Sequence, residues 1–249
     1  MERYPNSQSR LTIVTCIVPV NRSSRTISLA LLHDFLQRRR RVFPLRVYVK
    51  LTKYSLICGS ESQISIFSIS APGGPHTTIY TKTLRPSSPK GIISALSVSR
   101  DSLLAAGKFN NSISLFSHTY EHITTFSTTH GTGITELHWS PDSRYLYVTP
   151  RQSTEIEVWD VRSAGEMVAC LSGRRGRTNQ RLWGDLSADG RWFVSGGTDG
   201  VIRGWRTDVL AREVEPSWEV KVHDGMNVLD FFVWCMVDCR LCLFGDVAS

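Results

Sequence analysis

Two stretches with the same internal order decide the fold of this chain. The first reads GITELHWSPDSRYLYV at residues 133–148 and EIEVWD at 155–160. The second reads RLWGDLSADGRWFVSGG at 181–197 and DGVIRGW at 199–205. In both, a first run of alternating apolar and polar residues is followed by a turn that contains Ser and Asp, and then by a second run. A further polar turn leads to a third run, which ends on Trp. This order predicts three successive antiparallel strands in each stretch.

Weaker copies of the pattern precede these two stretches. Apolar and polar residues begin to alternate near residue 47, and strands are expected at 56–60, 63–68, 91–98, 101–107 and 112–116, with a short one at 77–83. The repeats close on Phe67, Phe116, Trp159 and Trp205, which lie roughly 43 to 49 residues apart. This period predicts an all-β fold, a WD40-type β-propeller that is partial or divergent, with about four recognisable blades.

The pattern divides the chain into three segments. Residues 1–46 are irregular, with a candidate short helix at 28–41 that ends in the basic run 38–41. Three interpretations of that basic run are open: a nuclear localisation signal, an RNA contact, or a solvated run of charges. Residues 47–230 hold the propeller blades, and residues 231–249 form an apolar tail that is off the pattern. Four blades are few for a ring, so a truncated chain that does not fold alone is a further alternative.

Composition narrows the class of protein. The 249 residues carry a net charge of +7, and the pI is near 9.3. Such an excess attracts polyanions, although many basic proteins never contact nucleic acid. The apolar run at 11–20 is too short to span a bilayer, and charged residues interrupt the apolar C-terminal run, so no membrane association is expected.

The cysteines favour a reducing compartment, because the six are scattered and form no disulfide framework. Cys235, Cys239 and Cys242 are close together, with His223 upstream, and this raises the question of a metal site. Their apolar neighbours favour buried or tail thiols, and a second ligand pair with recognisable spacing is missing. We therefore expect neither a metal nor another cofactor.

The sequence contains no recognisable catalytic motif. A nucleophile elbow, a P-loop, a zinc-protease pair and a dinucleotide fingerprint are all missing, and the seven histidines are dispersed. Ser195, Gly196 and Gly197 end a strand without a following helix, so they cannot hold phosphate as a P-loop does. A noncatalytic protein is expected.

A more specific resemblance begins at Thr178-Asn179-Gln180-Arg181. Together with further motifs on both sides of it, this signature resembles the telomerase Cajal body protein family, a WD40 family that binds small Cajal body RNAs and telomerase RNA. The supporting positions are Asp185-Leu186, Gly190, Val194-Ser195-Gly196 and Trp205, with 88–94, 130–135 and 155–162 upstream. The resemblance covers about residues 56–208. A related fungal branch has been linked to pre-mRNA splicing.

The candidate RNA-binding site is the connection between the two defining stretches. It comprises Arg174, Arg175, Arg177, Thr178, Asn179, Gln180 and Arg181. Arginine pairs with phosphate and stacks on bases, and Asn and Gln suit base edges. Connections between blades reach the propeller face around the channel, where ligands dock. In the alternative reading, Arg181 and Asn179 bond to backbone carbonyls and fix the loop.

Other singled-out residues are interpreted as structural. Trp159 and Trp205 are expected to pack between blades, and Trp159-Asp160 is a WD dipeptide. Asp199 is expected to accept hydrogen bonds from turn N–H groups. His130 could join a hydroxyl network, with Ser153 as the nearest partner in sequence.

Two functions follow from these observations. The first is a noncatalytic scaffold in the nucleus, in Cajal bodies or nucleoplasm, that binds a small nuclear RNA, telomerase RNA included, or its ribonucleoprotein, and aids its localisation. The second is a protein-interaction scaffold associated with pre-mRNA splicing, whose propeller face binds other proteins.

Overall fold

Four small β-sheets follow one another along the chain. The computed structural model describes residues 48–51, 55–68, 77–80, 91–163, 166–187, 189–222 and 224. Every regular element in these residues is a β-strand, which confirms the all-β prediction. The candidate helix at 28–41 and the tail at 231–249 lie outside the described residues, so the proposed division into three segments stays a prediction.

Each sheet contains four strands. The first sheet has β1 (Tyr48–Leu51), β2 (Ser55–Ser60), β3 (Gln63–Ser68) and β4 (Thr77–Tyr80). The second has β5 (Ile93–Val98), β6 (Leu104–Lys108), β7 (Ser112–Phe116) and β8 (His122–Ser127). The third has β9 (Ile134–Trp139), β10 (Tyr145–Pro150), β11 (Ile156–Asp160) and β12 (Glu166–Leu171). The fourth has β13 (Gly184–Leu186), β14 (Trp192–Gly196), β15 (Val201–Arg206) and β16 (Trp218–Lys221).

All four sheets are antiparallel meanders in which the strand order follows the chain. The closing aromatic residue always lies on the third strand, opposite an apolar residue of the second. The pairs are Phe67 with Leu56, Phe116 with Leu104, Trp159 with Leu146, and Trp205 with Phe193. The repeated register shows that the four units share one design, as the spacing of the aromatic residues predicted.

The fourth strand is the element that the three-strand pattern left out in three of the four units. Strand β8 is mostly exposed, and so is β16. An outer edge strand with one neighbour and water on its other side needs few apolar residues, so its sequence lacks the alternation that marks the inner strands. For the first unit the short strand predicted at 77–83 is present as β4.

Equivalent turns join the first and second strands of the third and fourth sheets. The Ser140 hydroxyl accepts a hydrogen bond from Tyr145 N at 2.8 Å, and the Ser187 hydroxyl accepts one from Trp192 N at 3.0 Å. The two turns also touch, because a Cβ on Gly190 would lie 2.5 Å from Pro141 Cγ. Gly190 has a φ of 70°, which a glycine adopts without strain.

The core lies in the seams, by which we mean the boundaries between consecutive sheets. In the first seam Ile57 and Ile64 pack with Ile93 and Phe116. The second seam places Trp159 among residues of the second and third sheets, and the third places Trp205 against Tyr147 and Val158. Each sheet is therefore stabilised by its neighbour, as expected for stacked repeats that cannot bury an apolar face alone.

Candidate nucleic-acid interface

The predicted RNA-binding residues all lie on one connection, which runs from β12 of the third sheet to β13 of the fourth. The side chains of Arg175, Arg177, Asn179 and Gln180 are exposed. The Arg175 backbone carbonyl accepts hydrogen bonds from Thr198 N at 2.8 Å and from the Thr198 hydroxyl at 3.1 Å. The backbone is thus fixed to the fourth sheet while the Arg175 side chain faces solvent.

The tip of the connection is bound to the turn between β10 and β11. The Asn179 side-chain oxygen accepts a hydrogen bond from Arg151 Nη2 at 2.9 Å and one from Gln152 Nε2 at 2.6 Å. The structure thereby adds Arg151 and Gln152 to this surface, although they lie 28 and 27 positions from Asn179, respectively. Sequence spacing gave no signal for either residue, because the contact depends on how the sheets stack.

Arg174 differs from the other arginines because its side chain is buried, with 2% exposed. Its guanidinium donates to the Ser153 carbonyl at 3.0 Å and to the Ser195 hydroxyl at 3.4 Å, and so links the third and fourth sheets. Burial lowers the pKa of Arg174 to about 10, against the opposing charges of Glu136 and Glu155. The sequence predicted that Arg174 contacts RNA together with its neighbours, but its side chain is buried in the seam between the third and fourth sheets.

Gly176 packs directly against that guanidinium. A Cβ added to Gly176 would lie 2.9 Å from both Nε and Nη2 of Arg174, and 2.1 Å from the Ser153 carbonyl oxygen. Any side chain at this position would displace the arginine. The sequence Arg-Arg-Gly-Arg therefore combines one buried arginine, a glycine that makes room for it, and two exposed arginines.

The contacts of Arg181 and Asn179 bear on the alternative in which both side chains bond to backbone carbonyls and fix the loop. Arg181 donates to the Thr135 backbone carbonyl, and its Nε lies 3.4 Å from Glu136 Oε1. The guanidinium also lies over the Trp183 ring, 4.9 Å from its centroid. This geometry agrees with the alternative for Arg181. Asn179 bonds to side chains rather than to backbone carbonyls, so its fixing role differs from the expected one.

Below Arg181, a cluster of charged groups crosses the third seam. Glu136 is buried and accepts a hydrogen bond from Gly184 N at 2.9 Å. His138 lies between two carboxylates, with Nδ1 3.3 Å from Asp185 and Nε2 3.5 Å from Glu136. Burial opposes the charge on His138, but its interactions with the Asp185 and Glu136 carboxylates outweigh it and raise its pKa to about 9. The imidazolium form therefore helps to join the two sheets.

His130 has a partner that the sequence did not predict. The fully buried Glu157 accepts hydrogen bonds through Oε1 from the backbone N–H groups of Thr129 and His130, both at 2.8 Å, and that oxygen lies 2.9 Å from His130 Nδ1. Its Oε2 accepts the Trp159 indole N–H at 2.9 Å. Ser153, the partner considered from sequence, instead donates to Glu155 at 2.7 Å. Glu157 lies on β11, where a buried carboxylate interrupts the apolar pattern. That carboxylate is the signal from which the partner of His130 could have been predicted.

The residues interpreted as structural all lie within sheets or turns. The Trp205 indole N–H donates to the Ser172 carbonyl at 2.9 Å, across the third seam. Hydrogen bonds from Arg162, with help from Arg144, hold the pKa of Asp160 at about 2. Asp199 accepts from Val201 N at 3.3 Å and from Arg203 at 2.7 Å. These contacts are internal to the protein.

Two of the cysteines are described, Cys58 and Cys170, and both are buried and reduced. Burial raises the pKa of Cys170 to about 11, so its thiol stays protonated at neutral pH. The other four cysteines and His223 lie outside the described residues; these cysteines are Cys16, Cys235, Cys239 and Cys242. The expectation about a metal site near the C-terminus therefore stays a prediction. Among the residues described, no helix has the length and apolar character needed to cross a membrane.

Known proteins share the repeat and the fold of this chain. The family model described as "WD domain, G-beta repeat" matches residues 120–160, which hold β8 to β11, and residues 182–206, which hold β13 to β15. The chain thus contains WD40 repeats and is homologous to telomerase Cajal body protein 1. Its four sheets are blades of a β-propeller, as the sequence predicted.

The relatives are much longer than this chain. Guanine nucleotide-binding protein negative regulator 1 of Schizosaccharomyces pombe is 40% identical over 54% of this chain and 34% of its own length. Telomerase Cajal body protein 1 of Rattus norvegicus is 32% identical over 60% of this chain and 28% of its own length. The human protein is 30% identical over 65% and 29%. The chain thus spans about a third of the length of the curated relatives it matches.

A solved structure shares the fold. A chain from the crystal structure of the mitotic checkpoint complex superposes with a TM-score of 0.54 and 18% sequence identity. The match covers 69% of this chain and 50% of that one. At this identity the likeness concerns the fold alone.

Proposed function

We propose that this protein is a noncatalytic WD40 scaffold that binds a small nuclear RNA, or its ribonucleoprotein, through the connection between the third and fourth blades. The observation that carries the proposal is the exposed row of Arg175, Arg177, Asn179 and Gln180, together with Arg151 from the adjacent turn. Three arginines and two amides on one surface combine phosphate pairing with groups that can contact bases.

The surface is suited to RNA because its backbone is held in place. The Thr198 bonds fix Arg175, and the Asn179 bonds fix the tip, so little further ordering is needed on binding. The side-chain oxygen of Asn179 is occupied by two donors, so we expect Asn179 to offer its amide N–H groups to a base acceptor. The net charge of +7 adds a long-range attraction for a polyanion.

The relatives narrow the proposed RNA. Telomerase Cajal body protein 1 is named for telomerase and for a nuclear body. By homology, the RNA proposed here is a small Cajal body RNA or telomerase RNA, and the proposed location is the nucleus. The role of the scaffold would be to aid the localisation of that RNA.

A charge-reversal variant tests the RNA surface. Replacing Arg175→Glu and Arg177→Glu should lower RNA affinity on the order of 10-fold or more, and should reduce the slope of log affinity against log salt by about 2. The measurement is a salt titration of binding to a labelled box H/ACA-type RNA. The matched control is Arg100→Glu with Arg212→Glu, two exposed arginines away from this surface.

The comparison between the two variants decides the result. Both double variants change the net charge by the same amount, so a general loss of electrostatic attraction would weaken both equally. A specific surface requires the Arg175/Arg177 variant to lose much more affinity than the control. Wild-type affinity in a folded Arg175/Arg177 variant would refute the proposed surface.

A protein-binding scaffold is the second candidate. The observation in its favour is the Schizosaccharomyces pombe relative, which is named as a negative regulator of a guanine nucleotide-binding protein. The resemblance-based link to splicing stays a prediction of the same class. Recovery of stable protein partners from cells without any bound RNA would favour this candidate over the first.

A further inference from the structure

Asn179 contacts the neighbouring turn through its side-chain oxygen alone. Arg151 Nη2 donates to Asn179 Oδ1 at 2.9 Å, and Gln152 Nε2 donates to the same atom at 2.6 Å. Arginine carries donors and no acceptor, so the Asn179 atom that faces Arg151 has to be the oxygen and not the amide nitrogen. The orientation of the Asn179 amide is therefore set by chemistry, with the oxygen toward the turn between β10 and β11.

The two donors to Asn179 are themselves positioned by other contacts. The Thr132 hydroxyl donates to Gln152 Oε1 at 3.0 Å, which leaves the NH2 group of Gln152 to donate to Asn179. The Arg151 guanidinium lies over the Phe109 ring, 5.8 Å from its centroid, and the Arg151 carbonyl accepts from Thr132 N at 3.0 Å. The arrangement is thus in place before any ligand binds.

This arrangement makes Asn179 a donor toward an incoming ligand. A side-chain carbonyl oxygen has two lone pairs, and Arg151 and Gln152 occupy both. Within the described part of the chain, the NH2 group of Asn179 has no hydrogen-bond partner, and the side chain is exposed. Asn179 therefore has N–H groups to offer and no acceptor.

The usual pairing of asparagine with a base requires both ends of the amide. Asparagine recognises adenine through two bonds, in which its NH2 group donates to N7 and its oxygen accepts from the N6 amino group. The second bond is closed to Asn179, because its oxygen already accepts twice. Guanine presents two acceptors, N7 and O6, on the same edge. A group that only donates therefore matches guanine and leaves the amino group of adenine without a partner.

Arg177 reinforces the donor character of this surface. It lies two positions before Asn179 and is exposed, and a guanidinium carries five N–H donors and no acceptor. Arginine is also the side chain most often found on guanine O6 and N7. The connection holds no carboxylate between Glu166 and Asp185, so it has no charged acceptor that would favour the amino group of adenine.

We propose that Asn179 is a specificity-determining residue, which selects an unpaired guanine over an unpaired adenine in the bound RNA. The inference rests on the RNA-binding function proposed above. Unpaired bases are the ones that RNA-binding proteins read, because the deep groove of an RNA duplex hides the edge that carries N7 and O6. One hydrogen bond more with guanine than with adenine corresponds to a preference of about 5-fold.

The first experiment varies one base in an otherwise constant RNA. Labelled cytidine decamers with a single central guanosine, inosine, 7-deazaguanosine or adenosine are titrated with the full chain near neutral pH. Guanosine and inosine should bind equally well, because both carry N7 and O6 and inosine lacks only the exocyclic amino group. Adenosine and 7-deazaguanosine, which each lack one of the two acceptors, should bind about 5-fold more weakly.

Asn179→Asp isolates the contribution of the amide N–H groups. A carboxylate accepts from both Arg151 and Gln152, so the bonds that fix the tip are kept while the NH2 group is replaced by an acceptor. The ratio of guanosine to adenosine affinity should fall from about 5 to about 1. This ratio is the readout, because the added negative charge weakens all four RNAs alike. Arg212→Gln, an equal change of net charge on an exposed residue away from this surface, should keep the wild-type ratio.

A neutral variant tests the role of the occupied oxygen. Gln152→Met removes one of the two donors and frees a lone pair on Asn179 Oδ1, so the two-bond pairing with adenine becomes available. The ratio should again fall toward about 1, this time because adenosine binds more tightly. A ratio that stays at the wild-type value in folded Gln152→Met would show that the oxygen does not exclude adenine.

The outcomes separate this inference from the proposed function. A guanosine preference that disappears in Asn179→Asp and persists in Arg212→Gln supports the inference. Equal binding of guanosine and adenosine by the wild type, or a preference that survives in folded Asn179→Asp, would overturn it and leave RNA binding intact. Binding of the box H/ACA-type RNA without binding of any decamer would overturn it as well. A wild-type protein that binds neither kind of RNA would overturn the proposed function, and this inference with it.

Discussion

At the scale of single residues, the environment of each polar side chain decides its role more than its type does. Arg174 and Arg175 are adjacent in sequence, yet Arg174 is buried between two sheets and Arg175 is exposed. The sequence could not separate them, because their difference depends on Ser153, in the turn between β10 and β11, and on Ser195, on β14. Glu157 was missed for the same reason, since its donors lie in a loop that precedes β9.

His138 gives a pH-dependent prediction at this scale. Its pKa of about 9 lies above the ordinary value of 6.5, so its stabilising effect is fully present below pH 6.5 and is lost as the pH rises through 9. Replacing His138→Gln should cost about 1–2 kcal/mol of unfolding free energy near pH 6, after allowance for its partial exposure. Chemical denaturation at several pH values gives the comparison.

The control for this prediction is His118→Gln, which changes an exposed histidine. The gap between wild type and His138→Gln should shrink between pH 7 and pH 10, while the control should follow wild type throughout. A gap that stays constant over that range would show that His138 is not charged in the folded state. Its role would then be limited to packing against Phe193, whose ring centroid lies 5.8 Å away.

At the scale of elements, the sequence predicted the inner three strands of the second, third and fourth blades, because their largely buried residues form short apolar runs bounded by polar turns. It predicted the closing aromatic residues because each must fill the space opposite a leucine or phenylalanine. The exposed edge strands β8 and β16 carry little such constraint. The stacking of the blades could not be predicted from the sequence, because the contacts of Gly59 with Ile93 and of Gly107 with Ile134 join residues of different sheets.

The glycine–isoleucine contact gives a prediction for this scale. Gly107→Ala places a methyl group 2.6 Å from Ile134 Cγ2 and should destabilise the protein by about 1–3 kcal/mol through overpacking. Adding Ile134→Ala removes the Cγ2 atom that the new methyl group would meet, so it should cost less stability in the Gly107→Ala background than in the wild type. Urea denaturation of the single and double variants measures both effects. Strictly additive losses would mean that the two residues do not press on each other.

At the scale of the whole molecule, the four blades form a scaffold whose fold says little about what it binds. The specific information lies in the third seam and in the connection that crosses it. There the polar groups Thr149, Arg174 and Arg181 occupy a region that is apolar in the other two seams. The sequence pointed to this connection through its charge, and the structure adds Arg151 and Gln152.

The most direct test of RNA binding by this scaffold is ultraviolet crosslinking of the tagged protein in its own cells, followed by sequencing of the bound RNA. Because the exposed arginines form one surface, the wild-type protein should be enriched in box H/ACA-type small RNAs, and the Arg175→Glu, Arg177→Glu variant should lose most of that signal. Recovery of proteins with no crosslinked RNA, or equal RNA recovery from the variant, would contradict it.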